Sequence, residues 1–245
     1  MKATGASPLQ AGVLAAGFGE RLRTQSSPLK PLAKVGGRTL IEHVLNSMSD
    51  AGASEVVVII NEDSLAVREH VTGNEWPFAL RWIVETTPSS MHSFLRLVET
   101  LAAGDDDGPF LLSTVDTVAG PQTFAKFIEK ARHEAAAVTL ALTSPGSDEK
   151  PLLVRCAPAN SRIVALGAAA TPSDQATAGL YAVRASILRE AEAARREGID
   201  ALLSFLGRLL DRGYHLAGIP IARSIDVDRP RDLRVAEEFL RSMAV

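Results

Sequence analysis

The sequence predicts an α/β domain built on a mostly parallel sheet with helices on both faces. Three observations predict it. Short apolar runs alternate with segments of helical spacing along the chain. The run at 56–60 is an unbroken series of Val and Ile, the mark of a strand buried on both faces. No repeat or long linker interrupts the alternation. Strands that alternate with helices form crossover units, and crossovers join parallel neighbours.

Residues 13–16 read as a short buried strand that runs into a glycine loop. Leu40, Ile41, Val44, Leu45 and Met48 recur at helical spacing, and Gly52 supplies the stop. Beyond the strand at 56–60, residues 80–84 form a weaker strand. Phe94, Leu97, Val98 and Leu101 then make a helical stripe, and 110–112 the next strand. Pro121 opens another helix with Phe124, Phe127, Ile128 and Ala131 on one face. Strands are expected at 138–142, 152–154, 163–166 and 180–183. Helices follow at about 185–197, 200–212 and 231–243, broken at Gly198 and Gly213. The loops at 104–109 and 144–151 lie inside one unit, so 1–245 is expected to be a single domain.

Apolar residues make up 46% of the chain and charged residues 22%, which allows a large core and argues against wholesale disorder. With 26 Lys+Arg against 29 Asp+Glu the net charge is −3, which excludes nucleic-acid binding driven by overall charge. A local basic pocket remains compatible with it. Cys156 is the only cysteine, so an intrachain disulfide and a thiolate zinc site are both excluded. It follows Leu152, Leu153 and Val154 and reads as a small buried side chain, not a nucleophile. No run approaches the roughly 18 apolar residues of a membrane span. Lys2 and the short apolar stretch after it do not make a signal peptide. The expectation is a cytoplasmic protein with no membrane and no nucleic-acid partner.

The most informative segment is Leu14, Ala15, Ala16, Gly17, Phe18, Gly19, Glu20, Arg21, Leu22. Glycine removes the Cβ barrier to close approach, so backbone N–H groups can line a phosphate. Two common phosphate motifs fail: the dinucleotide fingerprint needs a third glycine where Leu22 stands, and a P-loop needs a Gly-Lys-Ser/Thr that is missing. The chain continues through Arg21 and Arg23 to Ser26, Ser27, Pro28, Leu29, Lys30, Pro31 and Leu32. Val35, Gly36, Gly37, Arg38, Thr39, Leu40 and Ile41 follow. These segments, about thirty residues in order, resemble the sugar-phosphate nucleotidyltransferases, the NDP-sugar pyrophosphorylases. That family's signature is L-A-A-G-x-G-x-R, then P-K-P-L, then V-x-G-[KR]-x-L-[IL]. Here the second block is P-L-K-P-L, one residue longer. Cytidylyltransferases and molybdopterin guanylyltransferases share much of the pattern, so it points to a reaction class more than to a substrate.

The resemblance implies a three-layer α/β/α Rossmann-like fold of the nucleotide-diphospho-sugar transferase type, with a mostly parallel mixed sheet. It implies a Mg²⁺-dependent reaction between an NTP and a small phosphorylated acceptor, a sugar-1-phosphate in the main reading, with pyrophosphate released. Leu14, Ala15, Ala16, Gly17 and Gly19 would line the nucleotide, with Arg21 and Lys30 catalytic. The residue chemistry agrees. Departing pyrophosphate needs positive charge at the transition state. Arg21 offers a bidentate fork and Lys30 a point charge. Pro28 and Pro31 stiffen the loop that carries Lys30.

Asp116 follows the strand at 110–112 and lies just past its carboxyl end, where open α/β sheets bind ligands. In the family the matching aspartate holds Mg²⁺; the plainer alternative is an Asx-turn. Counted back from Pro230, Asp226 matches a D-[IV]-G-T-P variant and Asp228 a V-D-T-P-E-D-L variant. In extended backbone both point the same way and can approach one ion. Asp226 is the first choice, because Asp228 also sits about where a helix N-cap falls. Asp105, Asp106 and Asp107, flanked by glycines, read as a solvated turn. The five histidines show no metal spacing, and there is no G-x-S-x-G elbow.

Thr87 and Ser89 stand where the family carries an L-G-T-A-like stretch against the nucleobase; they bind base or ribose, or Ser89 caps the following helix. Ala178, Gly179, Leu180 and Tyr181 match the [AG]-G-[IL]-Y strand beside the sugar, which makes Gly179 and Tyr181 substrate contacts. Glu149, Lys150 and Pro151 are similar to the family's E-K-P sugar contact but lie earlier in the chain. Three alternatives stay open. One is a nucleotidyltransferase for a non-sugar phosphate, of cytidylyl- or molybdopterin guanylyltransferase type. Another is a metal-dependent glycosyltransferase of the same fold, using Asp226 and Asp228. The last is a non-catalytic nucleotide-sensing module.

Overall fold

A computed structural model describes residues 8–19, 21–22, 29–104, 108–145 and 151–243. Strand β1 (Leu9–Ala15) is followed by a 3-10 turn at Lys30–Leu32 and a short ribbon, β2 (Lys34–Val35) and β3 (Arg38–Thr39). Then come α1 (Leu40–Asp50), β4 (Ala53–Ile60), α2 (Leu65–Thr72), β5 (Ala79–Val84) and α3 (Ser90–Leu101). The middle of the chain supplies β6 (Phe110–Thr114), β7 (Thr117–Ala119), α4 (Thr123–Arg132) and β8 (Val138–Thr143). A hairpin of β9 (Val154–Cys156) and β10 (Ile163–Leu166) leads to β11 (Ala176–Val183). Last come α5 (Ala191–Arg196), α6 (Leu202–Asp211), β12 (Leu216–Pro220), β13 (Ser224–Asp226) and α7 (Pro230–Met243).

Seven strands form the main sheet in the order β12-β8-β11-β6-β1-β4-β5. All pairings are parallel except those of β11, which runs antiparallel to both β6 and β8. A parallel neighbour needs a long crossover, usually a helix. β11 is instead reached through the β9–β10 hairpin and a 3-10 turn at Gly167–Ala170. The expected mostly parallel mixed sheet is what the chain forms.

The unbroken run of β4 divides between two cores. Val56, Val58 and Ile60 pack with α1 and α4 residues such as Leu45 and Phe127, while Val57 and Ile59 pack with Phe94 and Leu97 of α3. Successive strand residues face opposite sides, so both layers draw on one run. A third, smaller cluster joins Leu22, Ala33, Val35, Val118 and Val227 to Ala236 of α7. Among the described residues no helix is long and apolar enough to cross a membrane.

Several boundaries differ from expectation. The helix expected from Pro121 starts at Thr123, after Gln122 in left-handed conformation (φ 57°). The segment at 185–197 is a 3-10 turn, Ala185–Glu190, running into α5. Cys156 closes β9 and is half-buried, not fully enclosed. α2, β12 and the ribbons β2–β3 and β7–β13 were not legible in the pattern.

Helix α1 has a capping box: Thr39 Oγ1 accepts from the Glu42 N–H at 3.4 Å, and Glu42 Oε2 accepts from the Thr39 N–H at 2.7 Å. Thr39→Val keeps the shape but leaves an N-terminal amide unpaired. It is expected to cost about 1 kcal/mol of stability in denaturant unfolding.

Candidate active site

The carboxyl ends of β1 and β6 open into a cleft of about 610 Å³. The β1–β4 ladder ends where Ala15 pairs with Ile60, and the chain then leaves the sheet as the glycine loop. Asn61 holds the departure point, its Nδ2 donating to the Ala16 carbonyl at 3.0 Å. Gly19 has φ +62°, and a Cβ there would run into the Lys30 Cβ, so only glycine lets the loop and Lys30 close on each other. Gly17 faces open space, which leaves its backbone approachable by a ligand. Leu22 pins the loop's exit into the third cluster.

Lys30, on the 3-10 turn, reaches across the cleft. Its Nζ donates to Asp116 Oδ2 at 2.6 Å and to Asp228 Oδ1 at 2.5 Å, with the lysine side chain only 11% exposed. Backbone hydrogen bonds hold the parts together: Val115 N–H to Leu14 O at 3.1 Å, and Val227 N–H to Asp116 O at 3.0 Å. Asp228 does not cap α7. Asp232, in the first turn of α7, reaches back, its Oδ2 accepting from the N–H groups of Asp228 and Arg229 at 3.1 and 2.8 Å. The Asp228 carboxylate pairs with Lys30.

Burial alone would lower the Lys30 ammonium, but Asp116 and Asp228 outweigh it and hold its pKa above the ordinary lysine value. Burial would likewise raise Asp116, yet the Lys30 charge and hydrogen bonds keep it below the ordinary carboxylate value. Asp226 behaves oppositely. Desolvation by the surrounding protein and repulsion from Asp116 and Asp228 raise its carboxyl, even though its edge is open to solvent. Two carboxylates, Asp116 and Asp228, share the Lys30 ammonium, and Asp226 stands beside them.

Among the described residues no group of three or more His, Cys, Asp or Glu side chains is gathered to hold a metal ion. Asp116, Asp226 and Asp228 are thus not a preassembled ligand triad, because the Lys30 ammonium stands between two of them. The donor set still suits Mg²⁺: all three offer hard carboxylate oxygens, and Mg²⁺ commonly takes one or two carboxylates with water and substrate phosphates.

Leu14, Ala16, Gly17, Gly19, Arg21, Lys30, Thr87, Ser89, Asp116 and Asp228 all line the cleft. Ser89 both lines the cleft and caps α3, accepting from the His92 N–H at 3.5 Å. Thr87 Oγ1 is 2.5 Å from Ser93 Oγ. Ala15 is a correction: its side chain is fully buried in the core beside α1. Tyr181 packs its ring edge-on to Phe94 in the opposite core, since alternation along β11 turns Leu180 and Tyr181 to different layers, while the charges of Asp226 and Asp116 act on its hydroxyl. Gly179 does not line the cleft and instead makes room for Thr114 and Thr117. Asp226 stands outside the Lys30 contacts, hydrogen-bonded by Thr117. Glu20, Arg23, residues 26–28, Asp105, Asp106, Asp107, Glu149 and Lys150 lie outside the described residues. The structure adds Phe18, 45% exposed, and Thr114 in the cleft lining, with the buried Asn61 and Thr117 behind it. Their one sequence signal was position, each sitting at or just beyond the carboxyl end of a strand.

A doubly covered α/β sheet, a glycine loop at its carboxyl edge and a lysine held by carboxylates across the cleft define a nucleotidyltransferase domain. The chain belongs to the MobA-like NTP transferase domain family, whose match covers residues 11–204. It is 31% identical over 248 residues to CMP-5'-(3-aminopropyl)phosphonate synthase of Streptomyces rubellomurinus, covering 95% of this chain and 39% of that protein. It is 29% identical over 251 residues to the bifunctional IPC transferase and DIPP synthase of Rubrobacter xylanophilus, covering 99% and 54%. The chain thus spans between about two-fifths and about half the length of these curated relatives. The solved inositol-1-phosphate CTP transferase from T. maritima shares the fold, with a TM-score of 0.75 at 19% identity over 94% of each chain.

Proposed function

We propose that the protein transfers a nucleotidyl group from an NTP to a small phosphorylated acceptor, a sugar-1-phosphate in the first reading, as a step in NDP-sugar formation. The observation that carries this is the Lys30 ammonium between Asp116 and Asp228 at a cleft bounded by the glycine loop. An acceptor phosphate oxygen attacks the α-phosphorus of the NTP. The bond from that phosphorus to the bridging oxygen breaks, and pyrophosphate leaves with the electron pair. Lys30 and Arg21 supply preorganised positive charge to the phosphates, which lowers the barrier without reorganisation at the moment of reaction. Backbone N–H groups of Ala16, Gly17 and Gly19 receive the phosphates, while Thr87 and Ser89 hold base or ribose. Asp116, with Asp226 or Asp228, would hold Mg²⁺. When bound, that ion neutralises triphosphate charge and polarises the α-phosphate.

A second reading has CTP as donor and a phosphonate or another non-sugar phosphate as acceptor. The names of the relatives that align over nearly the whole chain favour it. Pyrophosphate release from a matrix of NTPs against sugar-1-phosphates, inositol-1-phosphate and aminoalkylphosphonates tests both readings. The expected result is pyrophosphate in one NTP–acceptor combination, dependent on Mg²⁺. Release of a nucleoside diphosphate from an NDP-sugar would favour a glycosyltransferase, and nucleotide binding without turnover across the matrix a sensor.

A further inference from the structure

Two threonines fill a junction of strand ends beside Asp226. Thr117 opens β7, is only 2% exposed, and pairs directly with Asp226 in the antiparallel β7–β13 ladder. Its Oγ1 lies 2.9 Å from Thr114 Oγ1, 3.3 Å from the Ala178 carbonyl oxygen and 3.4 Å from Asp226 Oδ1. A threonine hydroxyl has one hydrogen to give and lone pairs to accept with. With Thr114 donating to Thr117, the single Thr117 hydrogen is shared between the Ala178 carbonyl at 3.3 Å and Asp226 Oδ1 at 3.4 Å. The neighbouring strand is shaped to permit this. Gly179 has φ +64°, and a Cβ there would collide with the hydroxyl oxygens of Thr117 and Thr114 and come within 3.6 Å of Asp226 Oδ1. Only glycine leaves the pair room to reach the carboxylate.

We propose that Thr117, backed by Thr114 and by the space at Gly179, is a positioning residue that orients Asp226 to take a divalent cation together with Asp116. The inference rests on the reading of Asp226 as a metal ligand. It deepens that reading, because it assigns the orientation of the ligand to a hydroxyl pair, the buried Thr117 and the cleft-lining Thr114. A carboxylate without such a donor rotates about its χ angles and loses affinity for the ion, while the fold around it stays closed. Hydrogen-bond partners of metal ligands typically carry a 10–100-fold effect on metal affinity.

The test uses the full chain with Mn²⁺ as the probe, its binding followed by electron paramagnetic resonance without NTP or acceptor. Thr117→Val removes the hydroxyl at nearly constant shape and is expected to weaken Mn²⁺ binding roughly 10–100-fold. Thr117→Ser, which keeps the hydroxyl, restores most of it. In the pyrophosphate assay the half-saturating Mg²⁺ concentration of Thr117→Val rises in parallel, with a smaller change in kcat at saturating Mg²⁺. Thr114→Val removes only the upstream donor and weakens Mn²⁺ binding less; it carries the test if Thr117→Val does not fold. Wild-type Mn²⁺ affinity in both valine variants, alongside its loss in Asp226→Asn, overturns the positioning role and leaves the metal reading standing. Wild-type affinity in Asp226→Asn, or no Mn²⁺ bound by the unmodified protein, overturns the metal reading itself.

Discussion

Replacing Lys30 by Met is expected to lower kcat/KM by a factor of about 10²–10³, with the cooperative unfolding transition retained. Methionine keeps much of the lysine stem and removes the charge that bridges Asp116 and Asp228. The loss should fall mainly on kcat, because charge that acts on the departing pyrophosphate is engaged more strongly in the transition state than in the ground state. Stability carries its own signature. Asp116 has a lowered folded-state pKa, so its contribution is present above the unfolded carboxylate pKa and lost as pH falls through the folded one. Lys30 has a raised pKa, so its contribution is present below the ordinary lysine value and lost as pH rises through the folded one. The pair therefore stabilises the middle of the pH range. The gap in unfolding free energy between the unmodified protein and Lys30→Met should close towards acid and again towards strong alkali. Full turnover in the variant, or a gap that stays constant on acidification, would contradict the assignment.

Asp116→Asn is expected to be about as damaging, near 10³ in kcat/KM, for a different reason. The amide is nearly isosteric with the carboxylate but brings an N–H₂ donor close to an ammonium that already donates 2.6 Å away. It removes one negative charge from the cluster and, under the proposed function, one oxygen ligand from Mg²⁺. The half-saturating Mg²⁺ concentration should rise together with the fall in kcat. The measurement is pyrophosphate release over a Mg²⁺ titration, and a variant with full activity and ordinary Mg²⁺ dependence would falsify the metal role.

The sheet was legible where local composition decides the outcome. The β-branched run of β4 has no alternative to a doubly buried strand, and it divides between both cores as that composition demands. β12 was missed because Gly218 and Pro220 weaken it as a strand, and an edge position is where a sheet tolerates proline. The ribbon of β7 and β13 has only three residues on each side, too few to show a period. In the candidate site, the glycine loop and Lys30 were readable because they lie close in sequence, and the fold packs Gly19 against Lys30. Which of Asp226 and Asp228 meets Lys30 was not, because it turns on a contact between residues 198 positions apart. The packing of the Tyr181 ring against Phe94 was not legible either, because a strand buried on both faces does not disclose which layer each residue enters.

The contact between Lys30 and Asp228 joins residues 198 positions apart, and that separation has a consequence during synthesis. At roughly 5–20 residues per second, a ribosome needs on the order of 10–40 s to travel from one to the other. Through that interval the emerging chain already holds the glycine loop, Lys30 and eventually Asp116, but Val227 and α7 have not yet come to close the third cluster. A nascent chain therefore carries a half-built charge network, and the last partner of Lys30 arrives with the segment that closes the third cluster.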